Sequence, residues 1–174
     1  LHLSNSDPAV YRSQKIKIQK SILSWYRKNK RDLPWRNTAD PYRIWIAEIM
    51  LQQTQVEQVI PYYFRFIKQF PNVRTLARSN PDRVLKIWEG LGYYRRARYL
   101  RDAAIKIEKD FGGKIPNDHA RLRTLPGFGE YTCGSVLSIA FHQPYPAVDG
   151  NVLRVISRLF RVETDTALSK TKRT

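Results

Sequence analysis

Leu125-Pro126-Gly127-Phe128-Gly129 decides how the rest of this chain is read. It separates a short helical pattern over residues 118–125 from an apolar helical pattern near 130–141. Two helices joined by a Pro-Gly-x-Gly turn form a helix-hairpin-helix. The glycines let backbone come close to a partner. The second helix offers unpaired N–H groups and the positive end of its dipole, which suit a phosphate. Such binding follows a nucleic-acid backbone and ignores base sequence. Taken alone, the turn is also what any helical bundle uses to join neighbours.

Charge sharpens the reading. Lys and Arg number 31 against 15 acids among 174 residues, a net charge of +16. That excess calls for a polyanionic partner, and with the hairpin it favours DNA. A membrane surface and a ribosome-like RNA are the rivals. The chain is 42% apolar, with four Trp, ten Tyr and seven Phe, so it is globular and long enough for a real core. The longest stretch without charge, Tyr131–Val148, is interrupted by Gly134, Pro144 and Pro146 and is no membrane span. Leu1–Tyr11 lacks an apolar signal core. A first residue of Leu suggests a fragment or a processed form. Cys133 is the single cysteine, so the chain can build neither a disulfide nor a cysteine metal cage of its own. It reads as a small buried residue.

Outward from the hairpin, the pattern is helical throughout. Residues 9–29 place Ile18, Ile22, Trp25 and Tyr26 on one stripe. Asp40-Pro41 is a cap-then-Pro start for a helix over 41–53. Residues 55–70 repeat Val56, Ile60, Phe64 and Ile67. Asn80-Pro81 opens a short helix with Val84, Leu85 and Trp88, which Gly90 and Gly92 break. Residues 93–110 turn Ala97, Leu100, Ala104 and Ile107 inward, and Gly112-Gly113 ends that helix. Asp149 opens a last amphipathic helix to Phe160, and the ending Leu168–Thr174 is polar and basic. The fold class is all-α.

Four groups of residues carry chemistry. Ile44-Trp45-Ile46-Ala47-Glu48-Ile49-Met50-Leu51 holds one ionisable group, a carboxyl in an apolar helix. Desolvation favours its neutral form, and such an acid can protonate a leaving group. A structural Glu paired to a core Arg is the bland alternative. Asp149, in Val148-Asp149-Gly150-Asn151, sits at a helix start that stabilises its ionised form. It is a plain cap or the anionic half of an acid–anion pair with Glu48, the pattern that cleaves glycosidic bonds. Gly90-Leu91-Gly92-Tyr93-Tyr94-Arg95-Arg96 puts two tyrosines on a loosened turn before Arg95, Arg98 and Arg101. A Tyr can wedge into a base stack while arginines hold phosphates; two core tyrosines and a solvated basic face are the alternative. Gln52-Gln53-Thr54-Gln55 offers amides able to bond base edges.

These residues resemble the helix-hairpin-helix base-excision DNA glycosylases, and most of all their MutY-type adenine-specific branch. The blocks are Leu33-Pro34-Trp35-Arg36, Asp40-Pro41-Tyr42, Glu48 through Gln55, Trp88 through Tyr94, Leu125 through Gly129 and Val148 through Val152, in the family's order. The resemblance spans about residues 15–162. The Leu-Gln-Gln-Thr-Gln and Gly-Leu-Gly-Tyr-Tyr blocks are the specific ones, and the hairpin and Val-Asp blocks are shared across the superfamily.

The resemblance implies a DNA repair enzyme that hydrolyses the N-glycosidic bond of adenine mispaired with 8-oxoguanine or guanine in duplex DNA. Glu48 matches the acid that protonates adenine, and Asp149 the carboxylate that stabilises the sugar cation. Asn151 supports Asp149, and Tyr131 matches a residue set beside the intermediate. Relatives like endonuclease III have a Schiff-base lysine at that position, so Tyr131 implies simple hydrolysis. Gln53 and Tyr93 match residues inserted near the 8-oxoguanine. Trp35 and Arg36 line the approach to the extruded base, and Gly127 and Gly129 hold phosphate. The implied architecture is a six-helix barrel-like lobe over 31–143, with residues 1–30 and 144–174 giving part of a second lobe and the active cleft between them. A [4Fe-4S] cluster is implied for the full-length protein, with ligands beyond residue 174 and no metal held by this chain. A monomer without a membrane partner is expected, in the cytoplasm of a bacterium (at the nucleoid) or a eukaryotic nucleus. The runner-up readings are a thymine-mismatch glycosylase and an inactive DNA-binding fragment.

Overall fold

The computed structural model describes residues 8–160, with side chains from Arg12 onward, and every regular element among them is helical. The first residues and the basic ending Leu168–Thr174 lie outside the described residues. The chain divides into two compact units. One runs Leu33–Ala147; the other comprises the flanking segments, up to Asp32 and from Val148.

The larger unit is built on α2 (Pro41–Leu51). Asp40 starts it: its carboxylate accepts a 2.9 Å bond from the Tyr42 amide, and Pro41 occupies the first turn without wasting a donor. Tyr42 and Ile44 through Met50 are all buried. A helix buried all round must be enclosed by neighbours. Here α3 (Val56–Gln69), α6 (Arg95–Phe111) and α8 (Glu130–Ala140) pack against it. The Tyr42 hydroxyl donates 2.7 Å to the Phe70 carbonyl, tying α2 to the end of α3. Burial and the neighbouring Asp40 carboxylate push that phenol far above its ordinary range. In turn α6 packs on α4 (Val73–Ala77) and α5 (Pro81–Trp88), and α7 (His119–Arg123) packs on α8. Gly134 lets the chain cross α8 closely, because a Cβ there would strike the Pro146 carbonyl.

Two small elements are absent from the sequence reading. Pro34–Arg36 forms a 3-10 turn that buries Trp35, and α4 is a helix of five residues. Asn72 and Thr75 cap α4 reciprocally, with amide bonds of 3.0 and 3.2 Å. Three apolar residues over five positions carry no periodicity, so only the caps mark such an element.

Two helix ends differ from expectation. The first, α2, stops at Leu51 instead of residue 53, and α6 starts at Arg95 instead of 93. The reason is the same in both places: Gln53 (φ 55°) and Tyr93 (φ 47°) adopt left-handed backbone conformations that no helix admits.

In the smaller unit, α1 (Pro8–Asn29) and α9 (Gly150–Phe160) are helices as expected, but their apolar stripes are not buried. Ile22, Trp25 and Tyr26 on α1, and Val152, Val155 and Ile156 on α9, are exposed. The described part of this unit is too small to close a core of its own.

Candidate active site

Glu48 stands in the middle of α2 and is 8% exposed. Helix α8 delivers its partner: Tyr131, at the start of that helix, donates a 2.8 Å hydroxyl bond to Glu48 Oε2. One residue further, Thr132 Oγ1 accepts a 3.3 Å bond from Gln52 Nε2. Both contacts join the same two helices. Burial disfavours an ionised carboxyl, and a donated hydroxyl bond favours it.

Asp149 and Asn151 belong to the smaller unit and act as the start of α9. Asp149 Oδ1 accepts 2.8 Å from the Val152 amide, the cap expected for its position. Its Oδ2 accepts 3.2 Å from Asn151 Nδ2, and Asn151 Oδ1 accepts 3.1 Å from Arg154. Asn151 is thus bonded directly to Asp149.

The hairpin joins α7 and α8. Asp118 caps α7 through the Arg121 amide at 2.8 Å. The turn is closed by Phe128 N–H to Leu125 O at 3.2 Å, and Arg123 Nη1 donates 2.8 Å to the Phe128 carbonyl. The Phe128 ring is buried against Trp45 of α2, with centroids 5.3 Å apart. The two glycines have different jobs. Gly127 has φ +76°, and a Cβ there would sit 3.0 Å from Tyr99 Cβ. Gly129 has φ −77°, is the N-cap of α8, and a Cβ there would meet nothing within 4 Å. Glu130 follows it, paired with Arg123 at 3.2 Å and His119 at 3.1 Å.

Gln53 and Tyr93 are exposed, as is Tyr94, so the tyrosine pair is not core. Trp35 is 6% exposed and packs edge-on against Tyr63 at 5.3 Å, which makes it a core residue; Arg36 is exposed. Arg101 departs from the phosphate-facing stripe, because its Nε donates 2.9 Å to the Ser79 carbonyl.

Sequence reasoning missed Arg96. It ends the Gly90–Arg96 block with no role of its own in the sequence, yet it is 8% exposed and donates to carbonyls on two segments. The signal was available: Arg96 stands four residues before Leu100 and eleven before Ile107, both on the inward stripe of α6.

Cys133 is fully buried in α8, and burial pushes its thiol up to about 11. A single buried thiol cannot serve as the four-cysteine set of an iron–sulfur cluster. Among the described residues no group of three or more His, Cys, Asp or Glu side chains is gathered as ligands.

Comparison with known proteins fits this geometry. Residues 46–174 match the family model described as HhH-GPD superfamily base excision DNA repair protein. An adenine DNA glycosylase of Buchnera aphidicola subsp. Baizongia pistaciae is 46% identical over 143 residues, covering 82% of this chain and 41% of that protein. The adenine DNA glycosylase of Mus musculus is 44% identical over 157 residues, covering 85% of this chain and 30% of that protein. The chain thus spans less than half the length of these relatives. Among solved structures, a thermostable thymine-DNA glycosylase superposes with a TM-score of 0.79 at 32% identity, over 86% of this chain and 69% of that one. With a match that covers most of its length and a helix-hairpin-helix packed on a buried, tyrosine-bonded glutamate, the chain belongs to the HhH-GPD superfamily of base excision DNA repair proteins.

Proposed function

We propose that the protein is a monofunctional DNA glycosylase that hydrolyses the N-glycosidic bond of adenine opposite 8-oxoguanine or guanine in duplex DNA. The observation that carries this reading is the Tyr131–Glu48 bond in a buried setting beside the hairpin. It is supported by the adenine-glycosylase relatives.

The target adenine leaves the stack at a cost of a few kcal/mol. Gln53 and Tyr93, exposed at the ends of α2 and α6, fill the space it vacates. Gly127, Gly129 and the following helix hold a backbone phosphate. An adenine anion leaves poorly, so Glu48 protonates a ring nitrogen as the bond to the sugar breaks. The positive charge that develops on the sugar is stabilised by the Asp149 carboxylate, itself oriented by Asn151. Glu48, now deprotonated, takes a proton from the water that completes hydrolysis. Tyr131 fixes the Glu48 carboxyl throughout, and no lysine occupies its place to trap the sugar. Arg36, exposed beside the buried Trp35 that anchors its turn, bounds the path of the extruded base.

In this reading residues 31–143 form one lobe and residues 1–30 with 144–174 contribute to the second. A [4Fe-4S] cluster, where the full protein holds one, draws its ligands from outside this chain. The protein works as a monomer, at the nucleoid of a bacterium or in a eukaryotic nucleus. Among the described residues no helix is long and apolar enough to cross a membrane.

The 32% identity to the thymine-DNA glycosylase structure favours one second reading, a thymine-mismatch enzyme. Single-turnover base release by the full-length protein on A:8-oxoguanine, A:G and T:G duplexes separates the two. Adenine release is expected. Thymine release alone selects the second reading, and duplex binding without release of either base leaves a DNA-binding module.

A further inference from the structure

Arg96 is buried, yet the described residues give it no carboxylate. Its partners are backbone carbonyls on two separate segments. Nη1 donates to Ile49 O at 3.0 Å, to Met50 O at 2.8 Å and to Gln52 O. Nη2 donates to Leu91 O at 3.3 Å and to Gly92 O at 3.2 Å. The guanidinium carbon also lies 5.3 Å from the Trp88 ring centre and 5.5 Å from that of Tyr93. Nε has no hydrogen-bond partner at all.

A stabilising core side chain would not be chosen this way. A buried cation without a counter-ion is costly, and an orphaned Nε adds to the cost. Arg96 also sits in the first turn of α6, the end of a helix where a positive charge is disfavoured. What offsets this is the row of unpaired carbonyls at the C-terminal end of α2, where a cation is favoured. Both segments that the fork grips run directly into a strained residue. Gln52 precedes Gln53, at φ 55°, and Gly92 precedes Tyr93, at φ 47°. Non-glycine residues keep such conformations only where their surroundings impose them, and such strain collects at functional sites.

We propose that Arg96 is a positioning residue that presets both Gln53 and Tyr93 for insertion into the duplex, holding the two wedges in one fixed relation. This rests on the base-extrusion reading above and adds to it the device that keeps the wedges ready. Only an arginine fits, because a single ammonium cannot span both carbonyl groups with a rigid fork.

The test uses the full-length protein and the variant Arg96→Lys. Two substrates are compared: adenine opposite 8-oxoguanine in a duplex, and adenine left unpaired in a bulge, where no partner must be displaced. A positioning role predicts that Arg96→Lys slows release from the duplex by about tenfold or more while changing release from the bulge by a much smaller factor. It also predicts that adding Arg96→Lys to a protein already carrying both Gln53→Ala and Tyr93→Ala costs little further, since both wedges are already gone. A fluorescent 2-aminopurine placed beside a non-hydrolysable 2′-fluoro-adenosine should brighten on binding with the unsubstituted protein and less with Arg96→Lys. Equal loss on both substrates means that Arg96 merely supports the helix carrying Glu48, and overturns the proposal while leaving the glycosylase reading intact. If the unsubstituted protein releases no adenine from either substrate, both fall. Should Arg96→Lys fail to fold, Gly92→Ala strains the same turn from outside the core, since glycine there has φ +74° and a Cβ would meet nothing within 4 Å. It must give the same duplex-selective loss, and an unselective loss overturns the proposal.

Discussion

The Tyr131 hydroxyl meets Glu48 Oε2 at 2.8 Å across a sequence separation of 83 residues. Two further ties join the hairpin region to α2 and its C-cap. Phe128 packs on Trp45 at 5.3 Å, and Gln52 bonds Thr132 at 3.3 Å. Between them these contacts fix the start of α8 against the middle and end of α2. A phosphate held by the hairpin is therefore held at a set position relative to the Glu48 carboxyl. No flexible linker intervenes, which is what a near-attack arrangement needs.

Replacing Tyr131 by Phe removes the hydroxyl and keeps the ring. Single-turnover adenine release should slow by roughly tenfold to a hundredfold, the scale of one lost hydrogen bond to a charged group. The melting temperature should hardly move, because Tyr131 is only half-buried. Glu48→Gln should bind a mismatched duplex as before and release base at least about a hundredfold more slowly, since it cannot give up a proton. Normal turnover in Glu48→Gln would remove it from the chemistry.

Asp149 has a structural duty that must be separated from the proposed one. Its Oδ1 caps α9 through the Val152 amide at 2.8 Å, a contact typically worth about 1 kcal/mol. Asp149→Asn keeps an oxygen for the cap and loses the negative charge. The expected outcome is an unchanged melting temperature with base release depressed by two orders of magnitude or so. A variant that melts earlier yet cleaves normally would make Asp149 a cap and nothing more. Asp149→Ala is the companion measurement and should lose both.

The hairpin glycines give a paired test. Gly127→Ala meets both a left-handed φ of +76° and the Tyr99 side chain at 3.0 Å. It should destabilise the protein by about 1–2 kcal/mol through the backbone alone. Gly129→Ala faces neither obstacle, so its stability should be unaltered within about 0.5 kcal/mol. If the backbone at Gly129 approaches a phosphate, the added methyl should still weaken duplex binding. Intact affinity in a well-folded Gly129→Ala would show that the close approach lies elsewhere in the turn.

These residues also show where sequence was enough. Helical periodicity and Pro or Gly punctuation located the long elements, because burial on one face enforces a 3.6-residue repeat. The α4 segment escaped because five residues are too few to show a period. Gln53 and Tyr93 were assigned to helices because local pattern says nothing of a long-range restraint. Their φ values are left-handed, at 55° and 47°, and the residue before each is bonded by Arg96, which stands 43 and three positions after them. The bond between Tyr131 and Glu48 was equally invisible. Each residue was named for its own reasons, and only the packing of α8 on α2 makes them partners.

Cys133 supplies a pH prediction independent of DNA. Burial raises its thiol from 9.0 to about 11, so the folded chain keeps a proton that the unfolded chain gives up. A raised pKa contributes stability in full below pH 9 and loses it as pH climbs through 11. The difference is worth on the order of 2–3 kcal/mol. Tyrosines and lysines titrate in the same range, so the comparison must be with Cys133→Ala. That variant should be less stable at pH 8, since a fully buried side chain is truncated. Its stability should then fall less steeply than the parent's between pH 9 and 11, and the two curves should converge. Parallel denaturant-melting curves across that window would mean that the thiol ionises without opening the core, against its complete burial in α8.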